Sequence, residues 1–283
     1  VHRETLMLHD GQTEQVARLL PRLVRQLMSN ETELAVGDWV LASRDDQAGW
    51  WVQARAEPLS HLARRDGDGR CHALVSNVDS ALLLMGLDDD FNPRRLERFL
   101  ALVQGSGVHP VVVLTKADIA ARTPPRLEQC LEALQKRLAP SLEVYCVDAR
   151  HATAAQALGR YLAEGQTLVL LGSSGAGKST LCNTLLGAAI QDTGRVRDSD
   201  GRGQHTTTSR QLLRLPGGAC IIDTPGVRTL SPPGDDVALD HLSLAALLET
   251  AEVREVDGAI ARELGKELGD APFYPDYLLK MLA

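Results

Sequence analysis

The sequence lacks the features that define several protein classes. None of its apolar runs approaches the roughly 20 residues that a membrane-spanning helix needs, and its first residues show no basic-then-apolar signal pattern. Its five cysteines are scattered without paired spacing, which argues against a disulfide framework or a zinc knuckle. We therefore expect a cytoplasmic protein with reduced thiols and no membrane partner.

The bulk composition is that of an ordinary soluble protein. With 283 residues, 44% of them apolar and 24% charged, the chain has room for about two domains. The net charge of −7 is unevenly placed, since residues 233–283 hold four Arg or Lys against eleven Asp or Glu. Residues 1–78 hold nine Arg or Lys against eleven Asp or Glu. An acidic tail binds phosphate poorly, so any nucleic-acid contact is expected from local patches upstream.

The most informative stretch is a glycine-rich loop between a strand pattern and a helix pattern. It follows the apolar run 167–171 and leads into the apolar-patterned residues 180–186. In such a loop the backbone N–H groups surround a phosphate, Lys178 can reach the terminal phosphates and the Ser179 hydroxyl can ligate Mg²⁺. The pattern predicts a nucleoside triphosphate site. The predicted phosphate-binding residues are Gly172, Ser173, Ser174, Gly175, Ala176, Gly177, Lys178, Ser179 and Thr180.

Two further motifs directly follow predicted strands. In Thr115-Lys-Ala-Asp118, the carboxylate of Asp118 can accept hydrogen bonds from N1–H and the exocyclic amine of guanine, while the stem of Lys116 covers the ring. In Asp223-Thr-Pro-Gly226, the carboxylate can hold Mg²⁺ through water and the glycine amide can meet the terminal phosphate. Each tetrapeptide is weak alone, but with the phosphate loop they predict a guanine-nucleotide switch.

The first 72 residues have the texture of a small barrel, and an oligonucleotide-binding (OB) type is one candidate. A hairpin around Asp10-Gly11 is predicted over residues 3–20, with a helix over 14–28 as a competing interpretation that Pro21 disfavours. Strands are predicted over 34–41 and 49–55. The tryptophans of this region, which are Trp39, Trp50 and Trp51, suit base stacking or the barrel core, and core roles are favoured for at least two.

Residues 73–232 alternate between strand and helix patterns, which predicts a doubly wound α/β domain. Predicted strands cover 81–85, 111–114 and 142–147, and predicted helices cover 93–103, 126–138 and 153–163. The polar, Gly-rich residues 64–70 are either a domain junction or a hairpin connection. Residues 233–283 are predicted as a small helical segment with helices over 239–250, 256–268 and 274–282.

The order of the motifs is unusual, because the guanine motif at 115–118 precedes the phosphate loop. This circular permutation resembles the ribosome small-subunit-dependent GTPase A family (RsgA), within the GTPases related to translation factors. The resemblance covers about residues 30 to 230. Further stretches that look like the family begin at Gly37, Ser76, Asp90 and Gly201, the last reading Gly-Arg-Gly-Gln-His-Thr-Thr-Thr.

The resemblance implies an N-terminal OB-type barrel (1–72), a permuted P-loop GTPase domain (73–232) and a C-terminal module (233–283). It implies a GTP-hydrolysing factor of late small-subunit maturation, stimulated by that subunit, that uses GTP/GDP and Mg²⁺. We expect a monomer that contacts rRNA through the barrel and the GTPase domain. The alternative is a GTP/GDP-binding regulatory module that no longer engages the ribosome, whereas an ATP-using kinase would leave the guanine motif unexplained.

The family also implies roles for individual residues. Asp148-Ala149 occupies the place of a Ser-Ala-type motif whose backbone supports guanine O6, and the Asp departs from that pattern. A threonine of residues 206–208 would complete the Mg²⁺ coordination with Ser179 and Asp223. Thr207 is the central candidate, although the spacing does not choose among the three.

The water-activating group is not the usual one. Many GTPases carry a Gln after Asp-x-x-Gly, but here that position is Val227, which has no polar group. His205 is therefore the candidate catalytic residue alongside Lys178, because imidazole can accept a proton from water at neutral pH. Arg202, or a group supplied by the ribosome, could stabilise the transferring phosphate. A K⁺-assisted mechanism is disfavoured, since related K⁺-using enzymes have Asn where this chain has Gly175.

The C-terminal segment departs most from the family. The family module usually carries three Cys and one His around zinc, but no cysteine follows Cys220 and His241 is the only later histidine. No zinc site is expected in this stretch. Either a short helical bundle replaces the metal module, or part of the usual chain is absent.

Overall fold

The computed structural model describes residues 5–11, 13–45, 49–65, 71–122, 124–188, 211–223 and 278–281. The chain forms two compact units. One comprises Val1–Asn77 together with Glu249–Ala283, and the other is Val78–Leu248. Over the described residues, no helix combines the length and the apolar character that crossing a membrane would take.

The first unit is built around a closed five-stranded barrel with the strand order β1-β13-β3-β4-β2. Its elements are β1 (Leu6–His9), β2 (Glu14–Leu19), α1 (Pro21–Ser29), β3 (Trp39–Arg44), β4 (Trp50–Arg55) and β13 (Leu278–Met281). The inward side chains are apolar and buried, as the alternating pattern of the sequence requires. They are Leu6, Leu8, Ala17, Val40, Ala42 and Val52, covered by Leu23 of α1.

The hairpin predicted at the amino-terminal end is confirmed. Asp10 accepts a hydrogen bond from the backbone N–H of Thr13 at 2.7 Å, and Gly11 has a φ of 96°, which suits a tight turn between β1 and β2. The competing helix over residues 14–28 is wrong for its first half, because residues 14–19 form β2. The helix begins instead at Pro21, whose fixed φ suits a first helical position.

The helix predicted over residues 274–282 is also wrong, because Leu278–Met281 is a strand. This strand, β13, lies between β1 and β3, where Met281 pairs with Leu8 and Lys280 pairs with Trp39. A short apolar run fits either a helix or a strand. Without a strand between them, the facing edges of β1 and β3 would lack hydrogen-bond partners for their backbone groups, and this favours the strand. The helices predicted over 239–250 and 256–268 lie outside the described residues.

The first unit also contains a two-stranded antiparallel sheet of β5 (His61–Arg65) and β6 (Cys71–Ser76). The Gly-rich stretch that was predicted as a junction or a hairpin connection joins these two strands. Arg65 pairs with Cys71, so the connection comprises residues 66–70.

The second unit is an α/β fold, as predicted. Its six-stranded sheet has the order β11-β12-β10-β7-β8-β9, and only the edge strand β11 is antiparallel to its neighbour. The strands are β7 (Ser80–Gly86), β8 (His109–Thr115), β9 (Glu143–Cys146), β10 (Thr167–Gly172), β11 (Gln211–Arg214) and β12 (Cys220–Asp223). The helices are α2 (Pro93–Gln104), α3 (Ala117–Ala120), α4 (Pro124–Gln135), α5 (Thr153–Ala157) and α6 (Lys178–Leu186).

Helix predictions in this unit succeed where the apolar pattern is regular. The helix predicted over 93–103 is α2, whose buried face is apolar and comprises Leu96, Phe99, Leu100 and Val103. The helix predicted over 153–163 is shorter, since α5 ends at Ala157 and a 3-10 turn follows over Gly159–Tyr161. Gly159 accounts for the break, because glycine disfavours the interior of a helix.

Candidate functional site

The carboxyl ends of the parallel strands bring the predicted motifs to one edge of the sheet. β8 ends at Thr115, β10 ends at Gly172 and β12 ends at Asp223. In the strand register, Thr115 lies beside Gly86 and Asp223 lies beside Leu170. Open α/β sheets bind their ligands at this edge.

The phosphate loop connects β10 to α6 in a compact turn. Gly175 and Gly177 have φ values of 80° and 91°, a region that favours glycine. A Cβ at Gly172 would lie only 2.6 Å from the backbone oxygen of Leu84, so the loop runs close against β7. Lys178 is buried, and its Nζ donates to the carbonyl oxygens of Gly172 and Ser173, each at 2.8 Å. The ammonium group therefore lies against the loop that is predicted to hold the phosphates.

Thr115 joins the predicted guanine motif to the phosphate loop. Its side chain is fully buried, and its Oγ1 donates to the carbonyl oxygen of Ala176 at 2.7 Å. A Cβ added at Gly177 would lie 3.4 Å from the same hydroxyl, so the two segments are in close contact. Residues separated by about 60 positions in the sequence thus form one site.

Lys116 has a left-handed backbone with a φ of 60°, and its Nζ pairs with the carboxylate of Asp88. Asp88 follows β7 and was not foreseen from the sequence. The signal that could have found it is the acidic run 88–90, which directly follows a buried strand whose carboxyl end lies at this edge. The pair holds Lys116 at the end of β8.

Asp90 belongs to the same acidic run and contacts the phosphate loop. It accepts from Oγ of Ser173 at 2.5 Å and from Nη1 of Arg95 at 2.7 Å. Partial burial pushes the pKa of Asp90 upward, but the hydrogen bonds from Arg95 and Ser173 outweigh this effect and hold the pKa below its ordinary value. Asp90 therefore stays ionised beside the loop at neutral pH.

Asp118, the predicted base-recognition residue, is paired with Arg150. Nη2 of Arg150 donates to Oδ2 of Asp118 at 2.5 Å, and Nε of Arg150 donates to Oδ1 of Asp148 at 3.2 Å. The hydrogen bonds from Arg150 lower the pKa of Asp148. The pKa of Arg150 is raised above its ordinary value, mainly by Asp148 and to a smaller extent by Asp118. Arg150 was not foreseen, although it directly follows the predicted Asp148-Ala149 pair.

Ala149 ties the Asp148–Arg150 segment to the phosphate-loop helix. Ala149 is buried, and its carbonyl oxygen accepts from Oγ1 of Thr184 in α6 at 2.6 Å. The predicted base-supporting backbone and the predicted phosphate-binding helix are therefore held together.

The residues proposed to hold Mg²⁺ offer oxygen donors of the kind that this ion prefers. Asp223 is 3% exposed, and Ser179 is the half-buried second residue of α6. Burial raises the pKa of Asp223, although the nearby Lys178 acts in the opposite direction. Over the described residues no group of three His, Cys, Asp or Glu side chains could hold a metal unaided. In proteins Mg²⁺ usually keeps several water ligands and takes phosphate oxygens beside one or two protein ligands.

Several predicted residues lie outside the part of the chain that the structure describes. They are Arg202, His205, Thr206, Thr207, Thr208, Gly226, Val227 and His241. Their predicted roles stay predictions.

The sheet and the order of its motifs define the class of protein: a circularly permuted P-loop GTPase. The structure of YjeQ from Thermotoga maritima matches with a TM-score of 0.57 at 21% identity, covering 80% of this chain and 71% of that chain. YloQ, described as a circularly permuted GTPase, matches with a TM-score of 0.52 at 19% identity, covering 81% and 70%. At such identities the likeness shows the fold.

The sequence identifies the family. The RsgA GTPase family model matches residues 55–232, so the chain belongs to the RsgA GTPase family. The small ribosomal subunit biogenesis GTPase RsgA of Xanthomonas oryzae pv. oryzae (strain MAFF 311018) is 43% identical over 222 residues, which are 78% of this chain and 59% of the relative. That of Xanthomonas axonopodis pv. citri (strain 306) is 42% identical over 238 residues, 83% of this chain and 63% of the relative. The chain spans about three fifths of the length of these relatives.

Proposed function

We propose that this protein binds and hydrolyses GTP as a factor of late small-subunit maturation, and that the small ribosomal subunit stimulates its turnover. The observation that carries the proposal is the 2.7 Å hydrogen bond from Thr115 to Ala176, which joins a guanine-type motif to a phosphate loop in one site. Family membership and the names of its relatives support the ribosomal role.

In this proposal the base lies over the carboxyl ends of β8 and β9. Asp118 accepts from the guanine edge, the stem of Lys116 covers the ring, and the backbone of Asp148 and Ala149 supports O6. Asp88 acts as a positioning residue, because its pairing with Lys116 sets where that stem lies. Thr115 holds the base motif against the phosphate loop.

The phosphates lie in the loop of residues 172–180. Mg²⁺ would be held by Ser179, by Asp223 through water and by Thr207, and it would neutralise charge on the phosphate oxygens. Lys178 supplies a positive charge to the terminal phosphates, and the amide of Gly226 meets the γ-phosphate. Entry of a triphosphate would draw the ammonium of Lys178 away from the carbonyl groups that it now contacts.

His205 orients the attacking water and accepts its proton in this scheme, because Val227 has no group for that task. We expect His205→Ala to lose stimulated turnover while it keeps its affinity for GDP. Lys178→Ala should lose triphosphate binding or turnover. Loss of GDP affinity in His205→Ala would show a binding role instead.

We propose that the barrel is of the OB type and contacts rRNA together with the GTPase domain. Support comes from its five closed strands and from Arg18, which lies beside Trp51 in the β2–β4 register. Trp50 packs against the barrel core, so Trp51 is the better candidate for base stacking. The same proposal includes three further points. The chain divides into domains after residues 72 and 232, the protein acts as a cytoplasmic monomer, and it works without zinc.

The deciding experiment measures GTP turnover with and without purified small ribosomal subunits, with Lys178→Ala as the inactive control. The proposal expects slow intrinsic turnover and a large stimulation by small subunits, but none by large subunits. GTP binding without any stimulation would favour a regulatory module that no longer engages the ribosome. Failure to bind guanine nucleotides would overturn the proposal.

A further inference from the structure

Arg150 occupies the carboxylate that the proposed function assigns to guanine. We propose that Arg150 is an internal competitor for the base site, so that a guanine nucleotide binds by taking the Asp118 carboxylate from the Arg150 guanidinium. This inference rests on the proposed function, because it assumes that guanine is the base bound.

The contact geometry assigns Arg150 this role. Its Nη2 lies 2.5 Å from Oδ2 of Asp118, the shortest distance in the network. Asp148 holds the Nε–Nη2 edge of the guanidinium: Oδ1 accepts from Nε at 3.2 Å, and Oδ2 lies 3.4 Å from the same Nη2 that donates to Asp118. Oδ1 of Asp148 also accepts from the backbone N–H of Arg150 at 3.0 Å. Asp148 therefore anchors the arginine that reaches Asp118.

The chemistry of the two donors explains the competition. A guanidinium group presents several N–H donors in one plane, and the N1–H and exocyclic amine of guanine also form a planar pair of donors. Guanine recognition uses both oxygens of the aspartate, so it needs the oxygen that Arg150 contacts. Arg150 and guanine therefore compete for Oδ2 of Asp118.

The backbone around Arg150 is fixed, so the exchange needs only a side-chain movement. Ala149 is buried and its carbonyl oxygen is bonded to Thr184, whereas the side chain of Arg150 is 65% exposed. An exposed arginine can leave its partner and be solvated at little cost. Arg150 is therefore held weakly enough for a guanine nucleotide to displace it, and strongly enough to lower the affinity for that nucleotide measurably.

The test compares GDP affinity for the wild type and Arg150→Gln by titration calorimetry. We expect Arg150→Gln to bind GDP about two- to fivefold more tightly at low salt, which is the range of an exposed ion pair. Because salt screens exposed charges, the two affinities should converge between about 50 mM and about 500 mM NaCl. Arg150→Lys, which keeps the charge but not the planar donors, should bind more tightly than the wild type by a smaller factor.

The matched control is Arg137→Gln, which removes an exposed arginine paired with Glu97 at 3.1 Å, outside the contacts of Asp118. It should leave GDP affinity unchanged. Equal or weaker GDP binding by both Arg150 variants would overturn the inference, since it would mean that Arg150 is neutral or assists the nucleotide. If the wild type and all variants fail to bind GDP, the proposed function fails instead, and the two failures are thereby distinguished.

Discussion

At the scale of single residues, the site is bordered by carboxylates that have basic partners. Asp88 pairs with Lys116, Asp90 with Arg95, and Arg150 with both Asp118 and Asp148. Asp223 differs, because burial is the main influence on its carboxyl group and raises its pKa. The carboxylates proposed for base recognition and for metal binding therefore lie in contrasting environments.

Asp118→Asn tests the base assignment. The amide of asparagine would place a donor opposite the N1–H donor of guanine, so the binding free energy of GTP should become less favourable by about 1–3 kcal/mol. Xanthosine triphosphate should bind better. Competition titrations with the two nucleotides measure both changes. Asp89→Asn is the control, because Asp89 is also paired with an arginine, Arg126 at 2.9 Å, but its side chain is 99% exposed. Unchanged GTP affinity in Asp118→Asn would refute the role of this residue.

Asp223→Asn tests the electrostatic character of the proposed metal site. A buried aspartate with a raised folded pKa destabilises the fold above that pKa, and the penalty disappears as the pH falls toward the unfolded value. Without Mg²⁺, the variant should melt higher than the wild type at pH 8, by about 2–4 °C for each kcal/mol gained. The difference should shrink as the pH falls through the folded pKa of Asp223.

Thermal melts from pH 8 down to pH 4 measure this difference. The same variant should lose the Mg²⁺ dependence of GTP binding, which calorimetry with and without Mg²⁺ would show. A wild type that melts higher than Asp223→Asn at pH 8 without Mg²⁺ would contradict the prediction.

The residues that the sequence did not reveal share one property: each has a partner that only the tertiary fold brings close. Arg150, Asp88 and Asp90 contact residues between 28 and 83 positions away in the chain. The motifs at Thr115–Asp118 and in the phosphate loop were predictable because each needs a local order of residue types. A contact between distant side chains leaves no such local pattern.

At the scale of elements, the end of β8 is joined to the phosphate loop that follows β10 through the Thr115–Ala176 hydrogen bond. The strands themselves were predictable, because β7, β8 and β10 are continuous apolar runs of the kind that parallel sheets bury on both faces. β13 was not, because four mostly apolar residues fit either a helix or a strand, and pairing with the neighbouring barrel strands decides between them.

Thr115→Val tests the joint between the two elements. Valine preserves the shape but removes the donor, so the buried carbonyl of Ala176 loses its partner, at a cost of about 1–3 kcal/mol. We expect lower thermal stability and weaker GDP binding. Thr115→Ser keeps the hydroxyl and should retain most of both properties. Equal GDP affinity in the valine and serine variants would show that the hydroxyl is dispensable.

At the scale of the whole molecule, the first unit is assembled from both ends of the described chain. β13 pairs with β1 on one side and with β3 on the other, while every strand of the six-stranded sheet lies between residues 80 and 223. The barrel therefore depends on a strand that the sequence alone assigned to a helix.

Deletion of residues 278–283 tests this dependence. Without β13, β1 and β3 lose their shared partner, so hydrogen exchange should accelerate in both strands and the barrel should melt at a lower temperature. GDP binding should persist, because the site lies in the other unit. Deletion of residues 282–283 alone leaves β13 intact and is the control. Unchanged exchange in β1 and β3 after the longer deletion would contradict the barrel topology.

The pairing of Leu8 with Met281 also orders events during translation. A nascent chain emerges from its amino-terminal end, so β1 to β4 are synthesised long before the strand that completes their barrel. The six-stranded sheet has all of its described strands once residue 223 has emerged, about 55 residues earlier than β13. We therefore expect the sheet to acquire hydrogen-exchange protection in the nascent chain first, and the barrel to close only after β13 has emerged.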